Sequence, residues 1–496
     1  MYKFNYLIAS LIVALVIICT NTTELQAQDA PVTQTVSGVV VDNLGEPLVG
    51  VSIIVKGTNT NTVSNLEGKY SIKVPENTVL RFLYIGHIAQ EIAVNQQETI
   101  NVTMIDQFSQ GLQMAKAIEL TEKQNEIVEA DNSFAFKMFK EVSKREGHNT
   151  FFSPLSLDMA MGMLYNGASG NTRNEIIRAL GIQDFSATEM NEYYQKISQA
   201  LLTVDPTTDI TVANSIWYRN NFSVKKQFIE IGKGYFDANI QALSFNDSQS
   251  ANIINNWCAE KTNNRIQNLI GNTIPNDMMM YLVNALYFKG QWQADIKFDR
   301  EKTKLDNFTK TNGQKIKVNL MEKTSSLKHF SDEHLQCVEM DYGNRAFSMI
   351  VILPQQDKDI NQLISYLDNK KLHDAVQGMH RKSVWLKLPR FKTECDFSLT
   401  QPIMDLGMSR IFKGGFKNIS NDDLWVSDII QKTFVEVNEE GTEAAAATTI
   451  TMVGAAGRAK KIEPVRFFAD RPFLYIIREK STGVILFIGR MDEPKE

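Results

Sequence analysis

The sequence predicts an α+β domain preceded by a small all-β sandwich. Three observations carry this. Residues 35–106 break into short β-branched runs separated by turns rich in Gly, Asn and Pro. From Asn132 onward apolar residues recur at helical spacing, and from Leu282 strand-like stretches follow and interleave with helices without a regular β-α-β beat. The longest apolar run lies at the N-terminus and is short for a membrane span. The 496 residues exceed one ordinary domain, and 43% apolar with 22% charged residues suits a globular chain with a sizeable core. With 52 Lys+Arg against 57 Asp+Glu the formal charge is −5, which offers no global attraction to nucleic acid or an acidic membrane.

The first element is an address. Lys3 precedes an apolar run from Leu7 to Cys19, and a polar stretch ends at Leu25-Gln26-Ala27-Gln28. A positive end, a short apolar core and a small residue at the cut predict a signal peptide over 1–27, with Gln28 as the new N-terminus. An uncleaved anchor is the alternative. Lipidation of Cys19 is the weaker reading, because Ile18 and not a small residue precedes it. The mature chain is expected to be secreted or extracytoplasmic, in the periplasm or at the cell surface.

The β module is expected over 34–106. Val36–Asp42, Val51–Val55, Tyr70–Val74, Val79–Tyr84 and Ile100–Met104 read as strands. Asn43-Leu44-Gly45-Glu46-Pro47 and Leu66-Glu67-Gly68-Lys69 read as turns, and Gly57–Thr62 as a polar loop. The run Gly38-x-Val40-x-Asp42-x-x-Gly45-x-Pro47-Leu48-x-Gly50-Val51, with Gly57-Thr58 and Gly68-Lys69-Tyr70, resembles the carboxypeptidase-regulatory-like β-sandwich. That resemblance implies a structural or interaction module without catalysis. Residues 107–125 read as a linker, and 126–496 as the large domain.

In the large domain, Asn132-Ser133 starts a helical pattern through Phe134, Met138, Phe139 and Val142. Ser153 and Pro154 read as the cap and first position of the next helix, which ends at Asn166-Gly167. Strands are expected at Leu282–Phe288, Phe347–Leu353, Val384–Leu388, Phe434–Val437, Phe473–Ile477 and Val484–Ile488. Cys258, Cys337 and Cys395 are odd in number and widely spaced, so a disulfide framework is not expected. No metal-ligand spacing, nucleophile elbow, Walker loop or dinucleotide fingerprint occurs, so no metal, cofactor or enzymatic activity is expected. The histidines His87, His148, His329, His334, His373 and His380 are scattered and read as solvated.

One segment is physically odd. Gly441–Gly457 holds a single charge, Glu443, between the acidic Asn438-Glu439-Glu440 and the basic Arg458, Lys460 and Lys461. Its alanines favour helix, and the Thr, Ile and Val that follow favour strand. As a strand, Thr442, Ala444, Ala446, Thr448, Ile450, Met452 and Gly454 share one uncharged face, able to enter a sheet without burying charge. A flexible alanine linker is the bland alternative.

Around that segment, blocks from 132 to 494 resemble the serpin family in order. They include Asn149-x-x-x-Ser153-Pro154-x-Ser156, Gly167-Ala168-x-x-x-Thr172-x-x-Glu175-Ile176 and Ala213-Asn214-Ser215-Ile216-Trp217. Next come Ile254-Asn255-x-Trp257, Leu282-Val283-Asn284-Ala285-Leu286-Tyr287-Phe288-Lys289-Gly290-x-Trp292, Leu388-Pro389-Arg390-Phe391 and Leu406-Gly407-Met408. Glu436 through Ala446 resembles the hinge of inhibitory members, and Phe468-Ala469-Asp470-Arg471-Pro472-Phe473-Leu474 with Phe487-Ile488-Gly489-Arg490 the closing strands.

The resemblance implies a large central sheet, further sheets, about nine helices and an exposed reactive loop. It implies a monomer that inhibits serine proteases as a suicide substrate, with possible cross-inhibition of cysteine proteases. The target, elastase-like or trypsin-like, is trapped as a covalent acyl-enzyme while the cut loop inserts into the central sheet. The implied hinge is Glu440, Gly441, Thr442, Glu443, Ala444, Ala445, Ala446 and Ala447. The bait bond is Ala455–Ala456 by the usual hinge spacing or Arg458–Ala459 counting back from Pro472, with Met452 or Val453 as further positions. Ser153, Ser156 and Asn284 match the cluster that gates the sheet, and Gln431 stands where the family usually has His; Gln cannot titrate. A non-inhibitory serpin acting as carrier or chaperone is the alternative function, and a hydrolase a more distant one.

Overall fold

The computed structural model describes residues 33–41, 47–48, 50–65, 67–84, 87–105, 115–294, 296–442 and 463–496. The expected signal peptide, residues 107–114 of the expected linker, and hinge residues Glu443, Ala444, Ala445, Ala446 and Ala447 lie outside them. So do both bait positions, Ala455–Ala456 and Arg458–Ala459, with Met452 and Val453. The chain divides into two compact units near Ile105–Asp106.

The first unit is all-β among its described residues. Its strands are β1 (Thr33–Val41), β2 (Ser52–Val55), β3 (Asn61–Val63), β4 (Lys69–Pro75), β5 (Val79–Leu83), β6 (Gln90–Ala93) and β7 (Val102–Thr103). They form a three-stranded sheet, order β4-β1-β7, and a four-stranded sheet, order β3-β2-β5-β6. Alternation decides the inner faces: Tyr70, Ile72 and Val74 of β4 are buried while Lys69, Ser71 and Lys73 are exposed. Val36, Val51, Ile53, Val55, Leu80 and Phe82 are among the residues that share this core. Two strands differ from expectation. The end of the polar loop, Asn61–Val63, pairs with β2 as an edge, and Gln90–Ala93 pairs with β5. Both lie at sheet edges, where one partner suffices and polar residues are tolerated.

The second unit opens with α1 (Glu122–Glu146). This helix begins well before the expected Asn132–Ser133 start, so the end of the expected linker is helical. The reason is a capping box: Thr121 accepts from the Gln124 amide while the Gln124 side chain accepts from the Thr121 amide. Then come β8 (Thr150–Phe152), α2 (Pro154–Gly167), α3 (Gly170–Leu180), α4 (Ala187–Leu201), β9 (Asp209–Arg219), α5 (Lys226–Phe236), β10 (Asn239–Leu243), α6 (Ser250–Lys261) and β11 (Met280–Gln291). The chain continues through β12 (Lys304–Thr309), β13 (Lys315–Ser331), β14 (Leu335–Asp341), β15 (Phe347–Pro354), α7 (Ile360–Tyr366), α8 (Asn369–Gln377), β16 (His380–Pro389), β17 (Phe391–Ser398) and α9 (Thr400–Asp405). It closes with β18 (Ile430–Val437), β19 (Gly441–Thr442), β20 (Val465–Phe468), β21 (Phe473–Glu479) and β22 (Ile485–Met491).

Two large sheets organise this unit. One has six strands, order β10-β9-β11-β19-β18-β17. The other has nine, running β20-β16-β13-β14-β15-β21-β22-β8 with β12 on β13. The α2 helix runs beneath the six-stranded sheet; it starts at Pro154, is capped by Ser153, and is buried over almost its whole length. Among the described residues the helices number nine, consistent with an α+β unit. Cys258, Cys337 and Cys395 are buried free thiols, each pushed up by burial. His329 is a correction: it is buried in β13, where burial lowers its pKa, because strand alternation puts it on the same inner side as Leu327.

Candidate functional site: two strands held apart

The six-stranded sheet has an unusual centre. β11 pairs with β9 on one side, from Met280 opposite Tyr218 to Lys289 opposite Asp209. β18 pairs with β17 on the other, from Ile430 opposite Ser398 to Val437 opposite Phe391. Among the described residues β11 and β18 do not pair with each other. What joins them is β19, two residues long: Thr442 lies opposite Gly290 and also opposite Val437, antiparallel to both strands.

The clasp at this end is tightly built. Thr442 Oγ1 and Tyr342 Oη are 2.6 Å apart and both residues are buried. The Trp292 amide donates to the Glu440 carbonyl at 2.8 Å, and Trp292 Nε1 donates to the Asn438 carbonyl at 2.9 Å. Trp292 stacks on Tyr342 with ring centroids 4.5 Å apart. Gly441 needs to be glycine: a Cβ there would lie 2.1 Å from the Gly290 carbonyl oxygen. The acidic pair before it is neutralised locally. Arg390 Nη2 is 2.6 Å from Glu439 Oε1, and Lys297 Nζ is 3.2 Å from Glu440 Oε2. No charge therefore enters the sheet unpaired at this point.

Halfway down lies a polar cluster. The Ser153 amide donates to Gln431 Oε1 at 2.9 Å, and Gln431 Nε2 donates to the Ser153 carbonyl at 3.0 Å. The Ser156 amide donates to Ser153 Oγ at 3.2 Å. Asn284 stands apart from these three, on β11, where its amide donates to Asn214 Oδ1 at 2.5 Å and lies 3.7 Å from Met159 Sδ. The structure thus joins Ser153, Ser156 and Gln431 directly and places Asn284 on the facing strand. Below them is a cavity of about 530 Å³ between the N-terminal ends of β11 and β18. Leu157, Met161 and Leu164 of α2, with Leu282, Phe416 and Leu424, give it apolar walls. Tyr342 and Lys297 join the site without having been singled out from sequence, whereas Asn214 and Trp292 stand in blocks already named there.

A family model described as Serpin (serine protease inhibitor) matches residues 129–494. The chain belongs to the serpin family. A second model, CarboxypepD_reg-like domain, matches residues 36–116. Serpin relatives include an uncharacterized serpin-like protein of Thermococcus kodakarensis, 33% identical over 375 residues, which cover 75% of this chain and 86% of that one. Serpin I2 of Homo sapiens is 32% identical over 373 residues, covering 73% of this chain and 91% of that one. Among solved structures, the thermophilic serpin tengpin in the native state aligns with TM-score 0.69 at 29% identity, covering 76% of this chain and 96% of that one. Native protease nexin-1 with heparin aligns with TM-score 0.67 at 26% identity, over 75% of this chain and 100% of that one. In serpin terms the six-stranded sheet is the central one, and β19 lies within it.

Proposed function

We propose that this serpin is an inhibitor of serine proteases that acts as a suicide substrate through loop insertion. The observation that carries it is the placement of Gly441–Thr442 between β11 and β18, antiparallel to both. A strand that continues from Thr442 has a partner waiting on each side. Carrying the register on after cleavage brings Ala444 level with Phe288 and Val435, Ala446 with Leu286 and Thr433, and Thr448 with Asn284 and Gln431. Ile450 and Met452 then come level with Leu282 and Met280, beside the apolar cavity. The face that Thr442 starts is uncharged and small, so insertion begins without a desolvation barrier.

The same register bears on the bait. β11 begins at Met280, so its ladder is used up at Met452. Cleavage after Ala455 leaves a short unpaired tail, and cleavage after Arg458 a longer one. A longer tail leaves slack that gives the protease time to deacylate. This supports Ala455–Ala456 over Arg458–Ala459, and an elastase-like target over a trypsin-like one.

The test is a panel of serine proteases read on SDS gels. The wild-type chain is expected to form an SDS-stable complex with at least one of them. Ala444→Arg, which puts a charge on the inserting face, is expected to be cleaved without trapping. Thr442 is the poorer position for this test, because its side chain already packs against Tyr342. Trapping by the Arg variant would overturn the hinge argument, and cleavage of the wild-type loop without any complex would favour a non-inhibitory serpin.

A further inference from the structure

Three helices of the serpin unit, α1, α2 and α4, pack against one another around two carboxyl groups. Asp131 of α1 is 5% exposed and Asp158 of α2 is 1% exposed. Asp131 Oδ1 accepts from Tyr194 Oη at 3.3 Å, and Tyr193, also on α4, faces the same carboxyl group. Asp131 Oδ2 and Asp158 Oδ1 are buried and have no hydrogen-bond partner among the described residues. Tyr194 is held here by shape: a Cβ at Gly162 of α2 would lie 2.7 Å from its Cε2. Among the described residues no lysine, arginine or histidine exerts a charge on the pair; the titratable groups that face it are Tyr193 and Tyr194.

Two anions cannot share such a place. Removing a carboxylate from water without a cationic partner costs far more than keeping it neutral, and a second charge beside it raises the cost again. We propose that Asp131 and Asp158 form a proton-binding site, occupied at neutral pH, that ties the stability of the helices behind the central sheet to pH. Burial pushes Asp131 up to about 8, against the opposing pull of the Tyr193 and Tyr194 hydroxyls, of which Tyr194 makes the hydrogen bond. Burial first, and then the charge of Asp131, push Asp158 well above the usual aspartate range.

The sign follows from which state holds the proton. The native chain binds it more tightly than the unfolded chain, so this contribution is complete below the ordinary aspartate value. It is lost as pH rises from there through about 8 for Asp131. The site also sits next to the opening. Asp158 is on the first turns of α2, after Ser156 of the polar cluster, and its neighbour Met159 touches Asn284 on β11. Ionisation would therefore loosen the helix on which the central sheet rests.

The experiment uses the full chain. Melting temperatures of the wild type and of Asp158→Asn are measured from about pH 5 to about pH 8. The wild type is expected to lose several degrees across this range. The isosteric amide, which cannot ionise, should flatten the profile and melt higher than the wild type at the alkaline end. Infrared spectra of the wild type at pH 7 should show a carboxylic-acid carbonyl band that Asp158→Asn diminishes. A wild type without that band at pH 7, or a variant whose melting profile runs parallel to the wild type's, would overturn the proposal. If the variant does not fold, the wild-type infrared band decides alone.

Discussion

Arg390 and Glu439 fix the chain where it leaves β18 for β19. Burial alone would push the Glu439 carboxyl up, but hydrogen bonds from Arg390 and Thr303 outweigh it, and the group ionises below the usual glutamate range. Arg390→Ala leaves a carboxylate that is only 2% exposed without its cation. The expected loss is about 1–3 kcal/mol, toward the lower end because Arg390 itself is partly solvated. A lowered pKa stabilises above the ordinary glutamate value and is lost as pH falls through the folded value. The penalty in the variant, measured as a change in urea midpoint, should therefore be full at pH 7 and shrink toward about pH 4. Residues of this kind were only half legible. Arg390 and Glu439 stand in recognisable blocks, but their meeting depends on a fold that brings β17 beside β18. Tyr342 carries no local signal, since its role depends on lying across from Thr442. His329 was legible in principle: it alternates with Leu327, and alternation outweighs its lysine neighbour.

At the scale of elements, the feature with most consequence is the shortest. β19 has two residues, too few for any periodicity, and it exists because two longer strands each offer it a partner. No local rule finds such a strand; the uncharged alternation that follows it was the available hint. The longer strands behaved differently. Leu282–Phe288 was legible from its β-branched and aromatic content, and the observed β11 extends it at both ends, where pairing with β9 recruits Met280 and pairing with β19 recruits Gln291. The start of α1 was legible too, since Thr121-Glu122-Lys123-Gln124 is a capping-box pattern, but the polar first turn masks it. The prediction at this scale concerns the ladder. Full insertion adds roughly ten backbone hydrogen bonds, each worth about 1 kcal/mol net, and covers apolar cavity surface as well. Heating the chain before and after a single cut in the loop should show a large rise in melting temperature. A cut form that melts with the intact one would mean that the strand does not enter.

The whole molecule is two units with separate cores, and each has its own pattern: period two in the first, mixed periods in the second. The core of the first unit is made from its own strands, from Val36 to Met104. Removing residues 34–106 is accordingly expected to leave the rate of complex formation with a susceptible protease within about twofold, about 0.4 kcal/mol. A larger loss would give the β module a part in inhibition. The nine-stranded sheet has a different consequence for the whole. The chain from Val465 onward is stitched into it at three places: β20 lies parallel to β16, β21 sits between β15 and β22, and β22 also binds β8. Phe473, Leu474, Tyr475, Ile476 and Ile488 are wholly buried there. A cut between Thr442 and Glu463 is therefore expected to make two polypeptides but only one particle. The tail keeps its place as a non-covalent subunit, and the number of pieces in the molecule becomes a property of its covalent bonds that its shape in solution does not reveal.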